Sequence, residues 1–195
     1  MKTTRAYTMT ARAEAAERTR VAILDAAIQL ATTRLLADIS LGDIAAEAGV
    51  SVQTVLRRFG SRAGLIDAAT AHGGREVIEE RQAPVGDIWA AVEVVVAHYE
   101  RRGDGVALLL AQETTDAQVR RITDNGRRVH REWVETVFAP YLPGTPMARE
   151  ALADLLAVAT DVYTWKQLRR DLGLDRTTTE QRIHRLVSAL ITTQE

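Results

Sequence analysis

Apolar residues recur every three or four positions along most of the chain, which is the spacing of amphipathic α-helices. In the first such segment, roughly 18–36, the apolar positions are Val21, Leu24, Ile28, Ala31 and Leu35. No segment alternates apolar and polar residues over the length of a strand between turn signals. The pattern therefore predicts an all-α protein.

Turn-forming and helix-ending residues divide this pattern into about nine helices. After the first, a second helix begins after Ser40 and ends at Gly49, and a third covers roughly 52–59. Six more are expected at 62–81, 87–101, 104–113, 116–139, 147–172 and 177–193. The polar residues 1–17 are interpreted as a flexible arm that precedes the first helix.

The composition indicates a globular protein, because 46% of its 195 residues are hydrophobic and 26% are charged. The absence of cysteine excludes disulfides and thiolate metal sites. No apolar run has the length that a bilayer span needs, and the first twenty residues lack the apolar core of a secretory signal. A cytoplasmic protein with no membrane partner is therefore expected.

Charge is distributed unevenly although the formal net charge is only −1. Residues 1–62 contain nine Lys and Arg against six Asp and Glu, whereas residues 63–195 contain sixteen against twenty. A mildly basic N-terminal part on an acidic body is compatible with nucleic-acid binding that is confined to one end.

The segment from Ser40 to Phe59 combines two short helices with a tight turn. Ser40 and Asp43 have the spacing of a capping box at the start of the first of these helices. Gly49 is suited to end it in the left-handed conformation, and Ser51 is placed to cap the next helix. This order predicts a helix-turn-helix, although an ordinary helical hairpin with a charged, solvated face would share much of it.

The second helix of this motif carries side chains that suit the major groove of DNA. Gln53 can pair with an adenine edge and Arg57 with a guanine edge, while serines at helix starts suit phosphates. The candidate DNA-binding residues are Ser40, Ser51, Val52, Gln53, Thr54, Leu56, Arg57, Arg58 and Arg62. A palindromic double-stranded operator is the expected partner, because one short recognition helix buries too little surface for tight specific binding.

From about Thr19 to Ala68, a quarter of the chain, the sequence resembles the DNA-binding domain of the tetracycline-repressor (TetR) family. The residues that carry the resemblance are Ile23-Leu-Asp-Ala-Ala27, Asp43-Ile-Ala-Ala-Glu-Ala-Gly-Val-Ser51, Thr54-Val55, Arg58-Phe59 and Ser61-Arg-Ala-Gly-Leu65. Many members have Tyr where Leu56 stands, and a leucine cannot make that residue's hydrogen bond to the DNA backbone.

The resemblance implies a DNA-binding domain of three helices at 18–64 and a helical ligand-binding and dimerisation domain at 65–195. In this arrangement the third helix enters the major groove, and the helices at 147–172 and 177–193 pair with their copies in a homodimer. Both carry apolar stripes beside small residues, which suits close helix packing.

The resemblance also implies a pocket for an unknown small molecule within 65–195. Candidates for its lining are Tyr99, His130, Trp133, Asp161 and Trp165. The histidines at 98, 130 and 184 are expected on helix surfaces, and no spacing predicts a metal or cofactor site.

The predicted function is that of a transcriptional repressor that a small molecule releases from its operator. A ligand-independent activator or architectural regulator is an open alternative, because these residues do not separate it from a repressor. A helical enzyme is the alternative from another class, although no nucleophile–base signature, phosphate loop or metal motif is present and no catalytic residue is proposed.

Overall fold

The computed structural model describes the backbone of residues 3–193 and the side chains of residues 13–193. Its α-helices are α1 (Thr3–Ala31), α2 (Leu41–Glu47), α3 (Val52–Phe59), α4 (Arg62–Glu80), α5 (Ile88–Leu110), α6 (Ala117–Val137), α7 (Pro146–Ala159), α8 (Val162–Lys166) and α9 (Arg176–Thr192). Two 3₁₀ turns (Leu36–Asp38 and Ala139–Tyr141) and a π-helical turn (Gln167–Asp171) connect them. The described residues contain no strand, which confirms the all-α class.

The chain divides into two compact units, and the boundary between Gly73 and Gly74 lies inside α4. The core of the N-terminal unit includes Ile23, Leu24, Ile44, Val55 and Leu65. The core of the C-terminal unit includes Val92, Val95, Val134, Phe138, Leu152, Leu156, Trp165 and Ile183. Each unit therefore has an apolar interior of its own, as an independent domain requires.

Helix α1 differs at both ends from the helix expected at 18–36. Its backbone is helical from Thr3, so the expected flexible arm is helical over residues 3–17, while residues 1 and 2 lie outside the described range. The helix ends at Ala31, where Thr32 and Thr33 donate their hydroxyls to the carbonyls of Gln29 and Leu30. These bonds satisfy carbonyl groups that the end of the helix leaves free.

Helix α5 is continuous where the sequence suggested two helices, at 87–101 and 104–113. The expected break falls at Gly103, but this glycine lies inside the continuous helix and serves packing there. The Trp165 ring lies so close to the backbone that a Cβ atom on Gly103 would be 2.4 Å from the ring atom Cζ3. The absence of a side chain therefore lets an indole ring lie against the helix backbone.

The helix expected at 147–172 is interrupted at Thr160 and Asp161. The Asp161 carboxylate accepts a hydrogen bond from the Tyr163 N–H and so caps the start of α8. Helix α7 ends just before, where the Thr160 hydroxyl donates to the Leu156 carbonyl over 2.7 Å. The apolar periodicity continues through Asp161, so it did not reveal that one helix ends here and that this aspartate caps the next.

None of the helices over the described residues is both long enough and apolar enough to cross a lipid bilayer.

Candidate functional site

Helix α2 begins with the capping box that the sequence predicted. The Ser40 N–H donates to Asp43 Oδ2 over 2.8 Å, and the Asp43 N–H donates to Ser40 Oγ over 3.1 Å. The hydrogen bonds from Ser40, together with the nearby Arg34 guanidinium, lower the pKa of Asp43 to about 2. The carboxylate therefore stays ionised at neutral pH, and the start of α2 is fixed by paired local bonds.

The turn between α2 and α3 also has the predicted geometry. Gly49 has a φ of 65°, and the Val50 N–H donates to the Ala45 carbonyl over 2.9 Å. Ser51 caps α3 by accepting the Thr54 N–H at its Oγ over 3.2 Å. The left-handed glycine ends α2 and lets α3 begin three residues later, which is the connection of a helix-turn-helix.

One face of α3 is buried and the opposite face is open to solvent. Val55 is fully buried, whereas Gln53 and Arg57 are exposed on the other side. Val52 and Leu56 are each 40% exposed, although they are the apolar residues of that outer face. Residues four positions apart lie on the same side of a helix, so the exposed face has a polar pair and an apolar pair.

The remaining candidates of the N-terminal unit are partly used inside the fold. Thr54 and Arg58 are half-buried, and Ser40 Oγ is hydrogen-bonded to the Asp43 carboxylate over 2.6 Å. Arg62 donates from Nε to the Ile39 carbonyl over 3.1 Å and from Nη2 to the Leu36 carbonyl. Arg62 therefore holds the turn between α1 and α2, a role that the sequence did not indicate.

In the C-terminal unit, three of the five candidate ligand residues contact a buried arginine that the sequence analysis missed. Arg81 is 6% exposed, and its guanidinium lies 4.9 Å from the centre of the Tyr99 ring. Its Nη1 lies 3.0 Å from Nδ1 of His130, and its backbone carbonyl accepts the Trp133 indole N–H over 2.8 Å. We call Arg81, Tyr99, His130 and Trp133 the arginine cluster.

The hydrogen bonds of His130 define its protonation. Its Nε2 lies 3.1 Å from the Ala157 carbonyl, which can only accept, so Nε2 carries the proton. Its Nδ1 then accepts from Arg81, which can only donate. Burial and the Arg81 charge lower the pKa of His130 to about 4, so the ring is neutral at pH 7. The expected surface position is wrong, because His130 is only 8% exposed.

His98 is also buried, contrary to the expectation of a surface position, and is 1% exposed. Its Nδ1 donates to Glu80 Oε2 over 2.8 Å, while Glu80 also receives hydrogen bonds from Arg102. Burial, and then the charge of Arg81, lower the pKa of His98 to about 3. Glu80 therefore pairs with Arg102 and His98, although it directly precedes Arg81 in the chain.

The other two candidate ligand residues lie near the arginine cluster without a hydrogen bond to Arg81. Trp165 is fully buried, its ring centre is 5.9 Å from that of Tyr99, and its indole N–H donates to Glu100 over 2.9 Å. Burial raises the pKa of Asp161, whose carboxylate caps α8. Both therefore have structural roles, and any contact with a ligand stays a prediction.

A helical spacing could have revealed Arg81. It lies four residues after Val77, so it continues the side of α4 to which the half-buried Val77 belongs. A charged residue at such a position is unusual, since arginine is seldom fully buried unless it is paired.

Comparison with known proteins shows that the N-terminal unit is similar to one family. Residues 23–69 match the family described as bacterial regulatory proteins of the tetR family. No protein with a curated description matches the chain. The family match covers the helix-turn-helix described above and confirms the resemblance that the sequence showed.

Solved structures with the same fold extend over nearly the whole chain. A transcriptional regulator from Rhodococcus sp. RHA1 is 19% identical, with 91% of this chain and 96% of that chain covered and a TM-score of 0.64. A tetR-family transcriptional regulator from Streptomyces coelicolor is 17% identical, with 92% and 84% covered and a TM-score of 0.68. At these identities the comparison shows a common fold, including the helices of the C-terminal unit.

Proposed function

Because residues 23–69 form a domain of the tetR family and the chain has the fold of tetR-family transcriptional regulators, we propose that it binds a specific DNA sequence through α3. The observation that carries the proposal is the outer face of α3, where Gln53 and Arg57 are exposed on a helix held by its cap and its buried Val55. A rigid helix with exposed Gln and Arg can pair with adenine and guanine edges.

The protein acts as a homodimer in this proposal, and the surface of α7 and α9 supports it. Leu155, Val158 and Leu186 are 50%, 66% and 46% exposed. They border a cleft of about 500 Å³ that is completed by Ala159, Thr164, Ala189, Leu190 and Thr193. Large apolar side chains beside small ones suit a second copy of the same helices, and that copy would remove them from water.

A dimer presents two copies of α3, which must meet successive major grooves about 34–36 Å apart. We further propose that the protein is a repressor, and that a small molecule bound in the C-terminal unit releases it from DNA. Helix α4 carries this effect because it runs from one compact unit into the other. The ligand shifts the equilibrium only by the difference between its affinities for the bound and released states.

The first test is selection of bound sequences from a random DNA pool by the purified protein at a stated salt concentration. We expect a palindrome to be enriched. On it, Gln53→Ala and Arg57→Ala should each lower the affinity about 5- to 150-fold for each half-site contacted, since a bidentate base contact contributes about 1–3 kcal/mol. Arg120→Ala in α6 is the matched control, since its exposed side chain has only a 4.0 Å ion pair with Asp124.

Two results would contradict the proposal. One is a pool without any enriched sequence, which would leave only non-specific attraction between the protein and phosphates. The other is an enriched site whose affinity is equally affected by the Arg57 and Arg120 variants, because α3 would then not be the recognition element.

The apolar pair on α3 gives a second, finer prediction. Val52 and Leu56 can contact the 5-methyl group of thymine, which is the apolar feature of the major groove. Replacing one contacted thymine by deoxyuridine should weaken binding about fourfold, since a buried methyl group contributes about 0.8 kcal/mol. In Leu56→Ala the same replacement should have no effect at the base that Leu56 contacts.

Titration of each deoxyuridine-substituted operator with the wild-type protein and with Leu56→Ala makes this measurement. Equal losses in both proteins at every thymine would rule out the leucine contact. This result would not affect the proposed contacts of Gln53 and Arg57, because those contacts are tested at adenine and guanine rather than at thymine.

A further inference from the structure

We propose that Arg81 is the binding site for the carboxylate of an apolar organic acid, and that this acid is the effector of the regulator. The inference rests on the proposed function, which assigns the effector to the C-terminal unit but leaves its chemistry open. It names the class of ligand and the residue that recognises its charge.

The first observation is that Arg81 is a buried cation without a carboxylate partner. It is 6% exposed, and among the described side chains no acidic group lies within 4.0 Å of its guanidinium nitrogens. Its Nε is buried without a hydrogen-bond partner. A charge in this state is costly, since buried charges in proteins are normally paired and hydrogen-bonded.

The acidic groups nearest in the chain and in the fold have other partners. Glu80 accepts two hydrogen bonds from Arg102 Nε and one from His98. Asp161 caps α8 by accepting the Tyr163 N–H, and no ion pair joins it to Arg81 among the described side chains. The Arg81 charge lowers the pKa of Asp161, against the larger effect of burial. The fold therefore contains acids near Arg81 but uses them elsewhere.

The groups that do contact Arg81 are neutral. His130 accepts from its Nη1 with an uncharged ring, and the Tyr99 ring faces the guanidinium. Trp133 stacks on His130 with the ring centres 5.7 Å apart and an angle of 17° between the planes. The groups in direct contact with the guanidinium are thus aromatic and uncharged, which suits the apolar body of a ligand.

The shape of the guanidinium selects the anion. Its planar fork matches the two oxygens of a carboxylate, and one negative charge compensates one arginine. A phosphate ester with two charges would leave an excess negative charge in an aromatic core. We therefore infer a monocarboxylate with an apolar or aromatic body.

The position of Arg81 connects binding to regulation. Because so little of the side chain is exposed, an acid reaches it only when the neighbouring side chains move. Arg81 also directly follows the last residue of α4, the helix that begins in the DNA-binding unit. Binding of the acid and a change at the end of α4 are thus linked events.

The test compares the wild-type protein with Arg81→Gln, which keeps an N–H donor for His130 but removes the charge. Arg102→Gln is the matched control, because it removes a half-buried arginine that has carboxylate partners. Melting temperatures are measured with acetate, benzoate and 4-phenylbutyrate, and with benzamide and 4-phenylbutyramide as neutral counterparts at the same ionic strength.

Without an added acid we expect Arg81→Gln to melt at or above the wild-type temperature and Arg102→Gln to melt below it. At ten times its Kd, a bound carboxylate should raise the melting temperature of the wild type and of Arg102→Gln by about 3–6 °C. The amides should have no such effect, and Arg81→Gln should not respond to either. With the selected operator, the same acids should weaken DNA binding by the wild type only.

Three results would overturn the inference: Arg81→Gln loses as much stability as Arg102→Gln, the acids stabilise wild type and Arg81→Gln equally, or none of the three acids shifts the wild-type melting temperature. All three are read from melting alone. A failure of the proposed function would instead appear in the DNA selection, with the melting response unchanged.

Discussion

Between pH 6.5 and pH 4.5 the free energy of unfolding is expected to fall by about 4 kcal/mol, because two buried histidines remain neutral in the folded protein. The pKa values of His98 and His130 are lowered from the ordinary 6.5 to about 3 and about 4. Below pH 6.5 the unfolded chain therefore takes up two protons that the folded protein does not bind.

The free energy of unfolding falls as the pH falls, because the pKa values of both histidines are lower in the folded protein than in the unfolded chain. The stability that depends on neutral imidazoles is fully present above pH 6.5 and is lost as the pH falls toward the folded pKa values. Each histidine contributes about 1.4 kcal/mol per pH unit inside this range. Burial is the largest cause for both, followed by the charge of Arg81, while Glu80 partly opposes the shift of His98. Below about pH 4.5 carboxylates such as Glu80, with a pKa of about 2, add to the loss.

Denaturant unfolding at fixed protein concentration across this pH range measures the slope. His98→Gln and His130→Gln should each remove about half of it, even if both variants are less stable at pH 7. NMR titration of the imidazoles provides an independent measurement. Two rings that gain protons near pH 6.5 in the folded protein would contradict the expectation.

Gly103→Ala is expected to lower the free energy of unfolding by about 3 kcal/mol, although alanine is normally the better helix residue. A Cβ atom at this position would lie 2.4, 2.7 and 2.9 Å from three atoms of the Trp165 ring. That ring is fully buried and hydrogen-bonded to Glu100, so it has little freedom to move. The cost of overpacking exceeds the gain of about 1 kcal/mol from helix propensity.

Gly126→Ala in α6 is the matched control, because no heavy atom lies within 4 Å of its added Cβ. It should raise the free energy of unfolding by up to about 1 kcal/mol. Denaturant unfolding of both variants at pH 7 gives the two values. A Gly103→Ala protein as stable as the wild type would show that the indole can turn aside at no cost.

The helix-turn-helix was predictable because its signals are local. The capping serines and the left-handed glycine act within a few residues, and Ser40, Gly49 and Ser51 have the predicted geometry. Of the candidate residues that the sequence offered on α3, Gln53 and Arg57 are exposed, whereas Thr54 and Arg58 are half-buried.

The features that escaped prediction depend on residues far apart in the chain. The local pattern around Gly103 favours a helix break, because the ring that packs on this glycine comes from position 165. Arg81 was missed for the same reason, since its burial depends on Tyr99, His130 and Trp133. A local pattern contains no information on such contacts, because tertiary packing decides whether a glycine or an arginine is enclosed.

The residues that cap the helix N-termini differ between the two units, and this difference affects the helix macrodipoles. In the N-terminal unit, α3 and α4 are capped by the hydroxyls of Ser51 and Ser61, whereas α2 combines the Ser40 hydroxyl with the Asp43 carboxylate. In the C-terminal unit, the side-chain caps of α5, α6, α8 and α9 are the carboxylates of Asp87, Asp116, Asp161 and Asp175. A carboxylate cap neutralises the partial positive charge of a helix N-terminus, whereas a hydroxyl cap makes the same hydrogen bond and leaves that charge available to an outside anion. At α3 and α4, the polyanion that we propose as the partner thus meets helix ends whose dipoles are not offset by a carboxylate in the cap.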